Sequence, residues 1–218
     1  MLNLEDYIEH TLLRPDVSQE SLVKLFEEAK EHNFKGVCIN PVNVKLAKEY
    51  LKNTKIKIVT VVGFPLGASK TEVKVFEAEQ AIKDGADEID MVVSIQAVKN
   101  KDWDYVKNDI KTVKNACGTR LLKVILETDL LSEEEIIKAC EVAIEAKADF
   151  VKTSTGFVKD GVGAKVEDVS TMSNIVKPKG LFVKASGGIR NKAKAIQLIE
   201  AGATRLGTSS GVDIINTL

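Results

Sequence analysis

Histidine and cysteine are scarce: two histidines (His10 and His32) and three cysteines (Cys38, Cys117 and Cys140) among 218 residues. So few histidines exclude a His-rich metal site and leave little material for Ser–His–Asp chemistry. The cysteines are odd in number, far apart and set in apolar surroundings, which suits neither a disulfide framework nor a zinc cluster. They read as core thiols in a reducing compartment. Long apolar runs are missing too. The longest uncharged stretch, 58–69, has 12 residues, whereas a membrane span needs about 20, so no membrane partner is expected. Neither sign of charge is in excess: Lys+Arg 31 against Asp+Glu 32 gives a net charge of −1, without the basic footprint of a nucleic-acid partner. Glu5, Asp6 and Glu9 crowd the first ten residues, which does not suit a secretory signal, and a cytoplasmic location is expected. No Gly-rich dinucleotide fingerprint follows an early strand. No Pro/Gly/Ser-rich linker divides the chain, and one domain over residues 1–218 is expected.

What the chain does have is alternation. Apolar, β-branched runs at 36–40, 57–64, 88–94, 121–128, 149–154, 181–186 and 204–209 begin at the spacing of βα units, with a shorter first candidate at 10–13. Between them lie helical patterns with start and stop signals. Ser132 and Glu135 form a capping box ahead of Ile136, Cys140 and Ala143, and Ser69 with Glu72 repeats it ahead of Val75, Ala78 and Ile82. Asn40-Pro41 reads as N-cap and first helical residue. The stripe Val106, Ile110, Val113 and Cys117 stops at Gly118. Related exits (Gly85-Ala86-Asp87, Lys147-Ala148-Asp149 and Gly202-Ala203-Thr204) lead from helix ends into strands. Seven or eight such units without a dinucleotide fingerprint predict an α/β fold, a (β/α)8 TIM barrel.

Strands covered on both faces should be nearly all apolar. Four of these carry charges instead: Asp90 in IDMV, Lys123 and Glu127 in KVILE, Lys152 in FVKTS and Lys184 in FVKAS. A buried charge is costly unless paired, so each needs a reason. Lys152 and Lys184 recur at one offset in consecutive strands, which alternation puts on one face about 5 Å apart. A second cation and burial both disfavour protonation, so one lysine of such a pair is tuned towards the neutral amine that attacks a carbonyl. A carboxylate such as Asp90 can then move protons. The pattern does not say which lysine is the nucleophile. A second cluster, Ser186-Gly187-Gly188-Ile189-Arg190 and Gly207-Thr208-Ser209-Ser210-Gly211, ends the last two strands, where barrels frequently bind phosphate. Gly156, just beyond Lys152, offers another amide.

With those residues in place the chain resembles the deoxyribose-phosphate aldolase family over almost its whole length. The likeness rests on IEHTLLRPD (8–16), GVCINP (36–41), VVGFPLG (61–67), EIDMVV (88–93), LLKVILET (121–128), VKTSTGF (151–157), VKASGGIR (183–190) and RLGTSSGV (205–212). It implies a class I aldolase needing neither metal nor organic cofactor. Such an enzyme cleaves 2-deoxy-D-ribose 5-phosphate reversibly to acetaldehyde and D-glyceraldehyde 3-phosphate. The resemblance makes Lys152 the Schiff-base lysine, Lys184 its activating neighbour and Asp90 the proton relay. Lys123 joins the charged network, as a catalytic group or as a counter-ion to buried carboxylates. Cys38 is placed near the aldehyde pocket, and Thr11 and Thr155 line the substrate site. A sugar phosphate and an aldehyde are the implied partners, and a homodimer the implied assembly. His10 reads as packing or turn hydrogen bonding. Other readings are a different Schiff-base sugar-phosphate aldolase or transaldolase-like barrel, and a phosphate-binding barrel without turnover; keeping both lysines and Asp90 argues against the latter.

Three departures stand out. Glu9 replaces the usual Asp, with a small effect expected. Ser94-Ile95-Gln96 replaces Asn, an apolar residue and Gly, which is expected to alter the rim beside Asp90. Asp129 and Lys165 replace commonly uncharged residues, and the sequence offers no mechanism for either.

Overall fold

The computed structural model describes residues 2–216, so Met1, Thr217 and Leu218 of the expected 1–218 domain lie outside the described residues. Eight parallel strands close into a barrel in chain order. They are β1 (Ile8–Leu12), β2 (Gly36–Ile39), β3 (Lys57–Val62), β4 (Glu88–Val92), β5 (Leu121–Ile125), β6 (Phe150–Lys152), β7 (Phe182–Ser186) and β8 (Arg205–Thr208). β8 returns to β1 with Ile8 opposite Leu206. Helices α1 (Gln19–Glu31), α2 (Val44–Tyr50), α3 (Thr71–Asp84), α4 (Ile95–Lys99), α5 (Trp103–Cys117), α6 (Glu133–Glu145), α7 (Val166–Val176), α8 (Lys192–Glu200) and α9 (Gly211–Asn216) occupy the connections. This is the predicted (β/α)8 barrel.

Each expected run from 36–40 to 204–209 contains a strand; most are trimmed at the C-terminal end, where the chain leaves the ladder for the loops, whereas β7 keeps its C-terminal Ser186 and loses only the first residue of its run. The first strand differs: it begins at Ile8, not His10, which brings Glu9 into the sheet. Asp87 and Asp149, at related positions in the repeated exits, do the same job. Their carboxylates accept from the backbone N–H of Ile58 (3.0 Å) and Leu122 (2.7 Å), tying each new strand to its neighbour.

Helix signals divide by what else the residues could reach. The Ser132/Glu135 capping box forms with both bonds present. Val106, Ile110, Val113 and Cys117 are buried, and Gly118 ends α5 at φ 56°, a region that disfavours a side chain. The second box does not form. α3 starts at Thr71 with Lys70 at its N-cap and no side-chain cap. Its first turn is fixed by α5 instead, through Thr71 Oγ1 to Asp109 Oδ1 (2.8 Å) and Lys74 Nζ to Asp109 Oδ2 (2.6 Å). Asn40 precedes a 3-10 turn, Pro41–Asn43, but its amide donates to the Leu13 carbonyl rather than capping.

Strand alternation separates two interiors. Outward residues such as Ile39, Ile89, Met91, Leu122 and Val124 join the helices in the main apolar core. At about 1.5–3 kcal/mol per fully buried aliphatic side chain, this layer supplies most of the favourable folding term. Inside the barrel Leu13, Cys38, Val59 and Val61 form a small apolar cluster of their own. The charged residues of β4–β7 share this interior.

Candidate active site

Register places the charged residues before any side chain is considered. Lys152 lies opposite Lys184, and Asp90 opposite Lys123. All four are buried at the centre of the barrel, with Glu9 and Glu88 beside them. Asp90 Oδ2 accepts from Lys152 Nζ at 2.8 Å and from Lys184 Nζ at 2.6 Å, while its Oδ1 accepts from Lys123 Nζ at 3.0 Å. Lys184 also donates to Glu9. Lys123 reaches Glu88 Oε2 at 2.6 Å and Glu9 Oε1 at 3.5 Å, and Arg205 Nε stands 3.6 Å from Glu9 Oε1. The two strand-paired lysines therefore share one carboxylate oxygen instead of facing each other bare, which corrects the picture of simple crowding.

Burial works to protonate Asp90, but Lys123, Lys152 and Lys184 outweigh it and hold its carboxyl well below the usual range. Glu9 is lowered in the same way, against burial, by Lys123 and Lys184. Burial likewise works against the Lys184 ammonium, yet Asp90 and Glu9 keep it well above the ordinary lysine value. Lys123 is raised by Asp90, Glu9 and Glu88 against the same opposition. Lys184 and Lys123 are thus fixed cations. Burial raises the Cys38 thiol, leaving it a neutral lumen side chain.

Above this network opens a pocket of about 270 Å³. Of the network's residues, only Lys152 lines it. Thr11, Thr155, Gly156, Gly187, Gly188, Arg190 and Ser209 line it as well, so the strand-end hydroxyls and the glycine loops share one cavity with the Lys152 amine. Two expected substrate residues are not brought there. Cys38 is fully buried with Val59 and Val61, and Ser210, at the start of α9, uses its carbonyl to accept from Ile214 N at 3.0 Å. Lys123 sits beneath the pocket, among three carboxylates. His10 turns outward: its Nε2 meets Glu28 of α1 at 2.8 Å and its ring packs on Phe34.

Several contributors escaped the sequence reading. Glu9 lies just before a first strand expected to begin at His10, and its carboxylate stands between Lys184 and Lys123. Glu88 and Arg205 open their strands, where a charge normally meets solvent. Both lie inside the expected runs 88–94 and 204–209, at the end where charge is ordinary. Arg14 joins the pocket rim, its guanidinium held by Asp16. Ser94 and Gln96, just beyond the β4 strand of Asp90, line a separate pocket of about 290 Å³ with Leu66 and Ser69. Glu9, Cys38 and Asp90 bring possible metal-ligand atoms within 4.8 Å of one another. Lys184 Nζ is already bonded to both carboxylates, and this donor set suits an ammonium.

Residues 7–217 match the model of the DeoC/LacD family aldolases. The chain belongs to this aldolase family. It is an enzyme, a carbon–carbon lyase. It is 56% identical over 213 residues to a deoxyribose-phosphate aldolase of Thermococcus kodakarensis, an alignment covering 96% of this chain and 94% of that one. A solved aldolase, QR15, superposes with TM-score 0.93 at 43% identity, covering 98% of this chain and 95% of its own. The deoxyribose-phosphate aldolase of Aeropyrum pernix, described as a tetramer, gives TM-score 0.88 at 32% identity over 97% of this chain and 89% of that one. Among the described residues of this family member, no helix is long and apolar enough to cross a membrane.

Proposed function

We propose that this aldolase reversibly cleaves 2-deoxy-D-ribose 5-phosphate to D-glyceraldehyde 3-phosphate and acetaldehyde through an imine on Lys152. One observation carries the reading: of the buried ionic residues, Lys152 alone opens into the pocket formed by the glycine loops. A substrate whose phosphate sits against Gly187, Gly188 and Ser209 presents its carbonyl carbon to that amine, and the geometry admits one nucleophile. The names borne by the relatives supply the substrate class.

The sequence of steps follows from the contacts. Lys152 loses a proton and its nitrogen attacks C1; the carbinolamine loses water to give an iminium. Deprotonation of the C3 hydroxyl breaks the C2–C3 bond. Its electrons move into the iminium to form an enamine, and glyceraldehyde 3-phosphate leaves. Protonation at C2 and addition of water release acetaldehyde and restore the amine. Asp90 Oδ2, 2.8 Å from Lys152 Nζ, takes the proton leaving that nitrogen. Lys123 and Lys184, still charged, keep Asp90 a weak base, so it passes the proton to water in the pocket instead of retaining it. Lys184 holds Asp90 in place and keeps a positive charge beside the reacting nitrogen.

The scheme uses no metal or organic cofactor, and the role we assign to it is deoxyribonucleoside catabolism in the cytoplasm. Incubation with acetaldehyde and glyceraldehyde 3-phosphate should yield deoxyribose 5-phosphate. Formation of a different sugar phosphate from another donor, with none from acetaldehyde, would favour a transaldolase-like reaction; phosphate-ester binding with no product would favour a non-catalytic barrel.

A further inference from the structure

The turn that follows β5 carries two carboxylates the reaction does not use. Glu127 is buried with its backbone in the left-handed region at φ 63° and ψ 62°, a conformation a non-glycine side chain keeps only when its surroundings impose it. Its carboxylate accepts from the Thr155 backbone N–H at 3.1 Å and from the Thr155 hydroxyl. Two residues on, Asp129, only 9% exposed at its side chain, accepts from the Gly163 N–H at 2.7 Å, and Lys165 Nζ lies 3.8 Å from its other oxygen. The two carboxylates thus grip the segment 155–163 at both ends.

That segment is the wall against which the β7 glycines lie. Ala164 N donates to the Gly187 carbonyl at 3.0 Å. Gly163, at φ 74°, packs so closely on the Gly187 backbone that a Cβ would collide with it, and a Cβ on Gly188 would strike the Val162 carbonyl. Because a trans peptide is planar with its C=O and N–H opposed, fixing the Gly187 carbonyl towards Ala164 turns the Gly188 N–H the opposite way. Gly188 lines the pocket.

We infer that Asp129 is a positioning residue for phosphate-ester recognition, holding Gly163 so that the Gly187–Gly188 peptide keeps the orientation in which it can donate to the phosphate. This rests on the phosphate reading of the β7 and β8 loops. Lys165 supports the arm by neutralising Asp129. The two residues that depart from the family pattern without apparent purpose thereby acquire one: a chain of contacts from the β5 turn, through the β6–α7 loop, to the phosphate glycines.

The test is the ratio of kcat/KM for deoxyribose 5-phosphate to that for unphosphorylated 2-deoxyribose, in the wild type and three variants. Asp129→Ala removes the acceptor of a charge-assisted bond and should lower this ratio about ten-fold, chiefly through KM for the phosphate ester. Asp129→Asn keeps an acceptor oxygen for Gly163 and should retain most of it. Asp129→Glu keeps the charge but lengthens the arm, so it should lower the ratio, and it serves if Asp129→Ala does not fold. A wild-type ratio near one overturns the phosphate reading itself, and the inference with it. A high wild-type ratio that Asp129→Ala or Asp129→Glu leaves unchanged, or equal losses on both substrates, overturns the role of Asp129 alone.

Discussion

Two groups of fully buried lysine–carboxylate pairs lie on opposite faces of the same sheet. Outside the barrel, Lys74 of α3 meets Asp109 of α5 at 2.6 Å and donates to the Val92 carbonyl at 3.0 Å, with neither side chain exposed. Inside it, Lys184 is equally buried and meets Asp90 at the same 2.6 Å, with Glu9 as a second partner. Viewed pair by pair they are alike. The difference lies in what adjoins them: the outer pair is closed in by α3, α5 and the end of β4, whereas the inner network shares Asp90 Oδ2 with a third group, Lys152, that opens to a cavity. Burial and pairing do not identify a catalytic charge. A shared oxygen beside an open pocket is what sets the inner group apart, and the role proposed for Lys152 rests on it.

The largest effect that sharpens this contrast is expected at Lys152. Lys152→Arg should keep the charge and the fold yet reduce aldol turnover at least about a thousand-fold, because a guanidinium cannot deprotonate to attack a carbonyl. Near-normal turnover of the purified variant would remove Lys152 from the chemistry. Next come matched variants of the two buried partners. Lys74→Met removes the one ammonium paired with the buried Asp109 and should cost about 3–5 kcal/mol of stability in denaturant titration, whereas Lys184→Met leaves Asp90 its bonds to Lys152 and Lys123 and should cost less. Per folded molecule, only Lys184→Met should lose activity, by about a hundred-fold or more on the scale of an assisting acid–base group. Equal activity in the two folded variants would break the distinction between the groups. A smaller effect is expected from Lys74→Met combined with Asp109→Leu. Removing both charges should recover most of the stability lost in the single variant, since a buried pair contributes little net over apolar packing.

The smallest effect is in the pH dependence. Asp90 and Glu9 are depressed in the folded protein, so their contribution to stability is full above the unfolded carboxylate values of about 3.9 and 4.3 and is lost as pH falls through the folded ones. Lys184 and Lys123 are raised, so theirs is full below the unfolded value of about 10.4 and is lost only as pH rises through the folded values. The urea midpoint should therefore change little between pH 5 and 8 and fall below about pH 4. A midpoint already falling at pH 6 in the wild type, and equally in Asp90→Asn, would contradict the assignment.

Most of the barrel was legible because the apolar strand runs and their spacing are local signals that tertiary structure had no reason to override. The Ser132 box was legible for the same reason. The Ser69 box was not, since its competitor, the buried Asp109, lies on another helix 38 residues after Thr71. Within the site, Lys152, Lys184, Asp90 and Lys123 announced themselves as charges in the middle of apolar strands. Glu9 stayed hidden behind a misplaced strand start, and Glu88 and Arg205 behind a boundary where charge is ordinary. Glu127 was visible as a charge in a strand, but its hold on Thr155 depends on a left-handed backbone that no sequence spacing reports. Which lysine attacks was undecided by pattern, because Lys152 and Lys184 occupy equivalent positions. The resemblance alone favoured Lys152, and the structure adds a difference between the two: the pocket reaches Lys152, while Asp90 and Glu9 enclose Lys184.

That separation is open to a direct measurement. The protein is incubated with acetaldehyde, reduced with borohydride, weighed and peptide-mapped. The account predicts one ethyl group per chain, on Lys152, and none on Lys184, whose ammonium is held by Asp90 and Glu9. Surface lysines, protonated at neutral pH, should label slowly by comparison. Rapid labelling of Lys184 would reverse the two roles, and the absence of stoichiometric labelling at either would contradict the imine mechanism altogether.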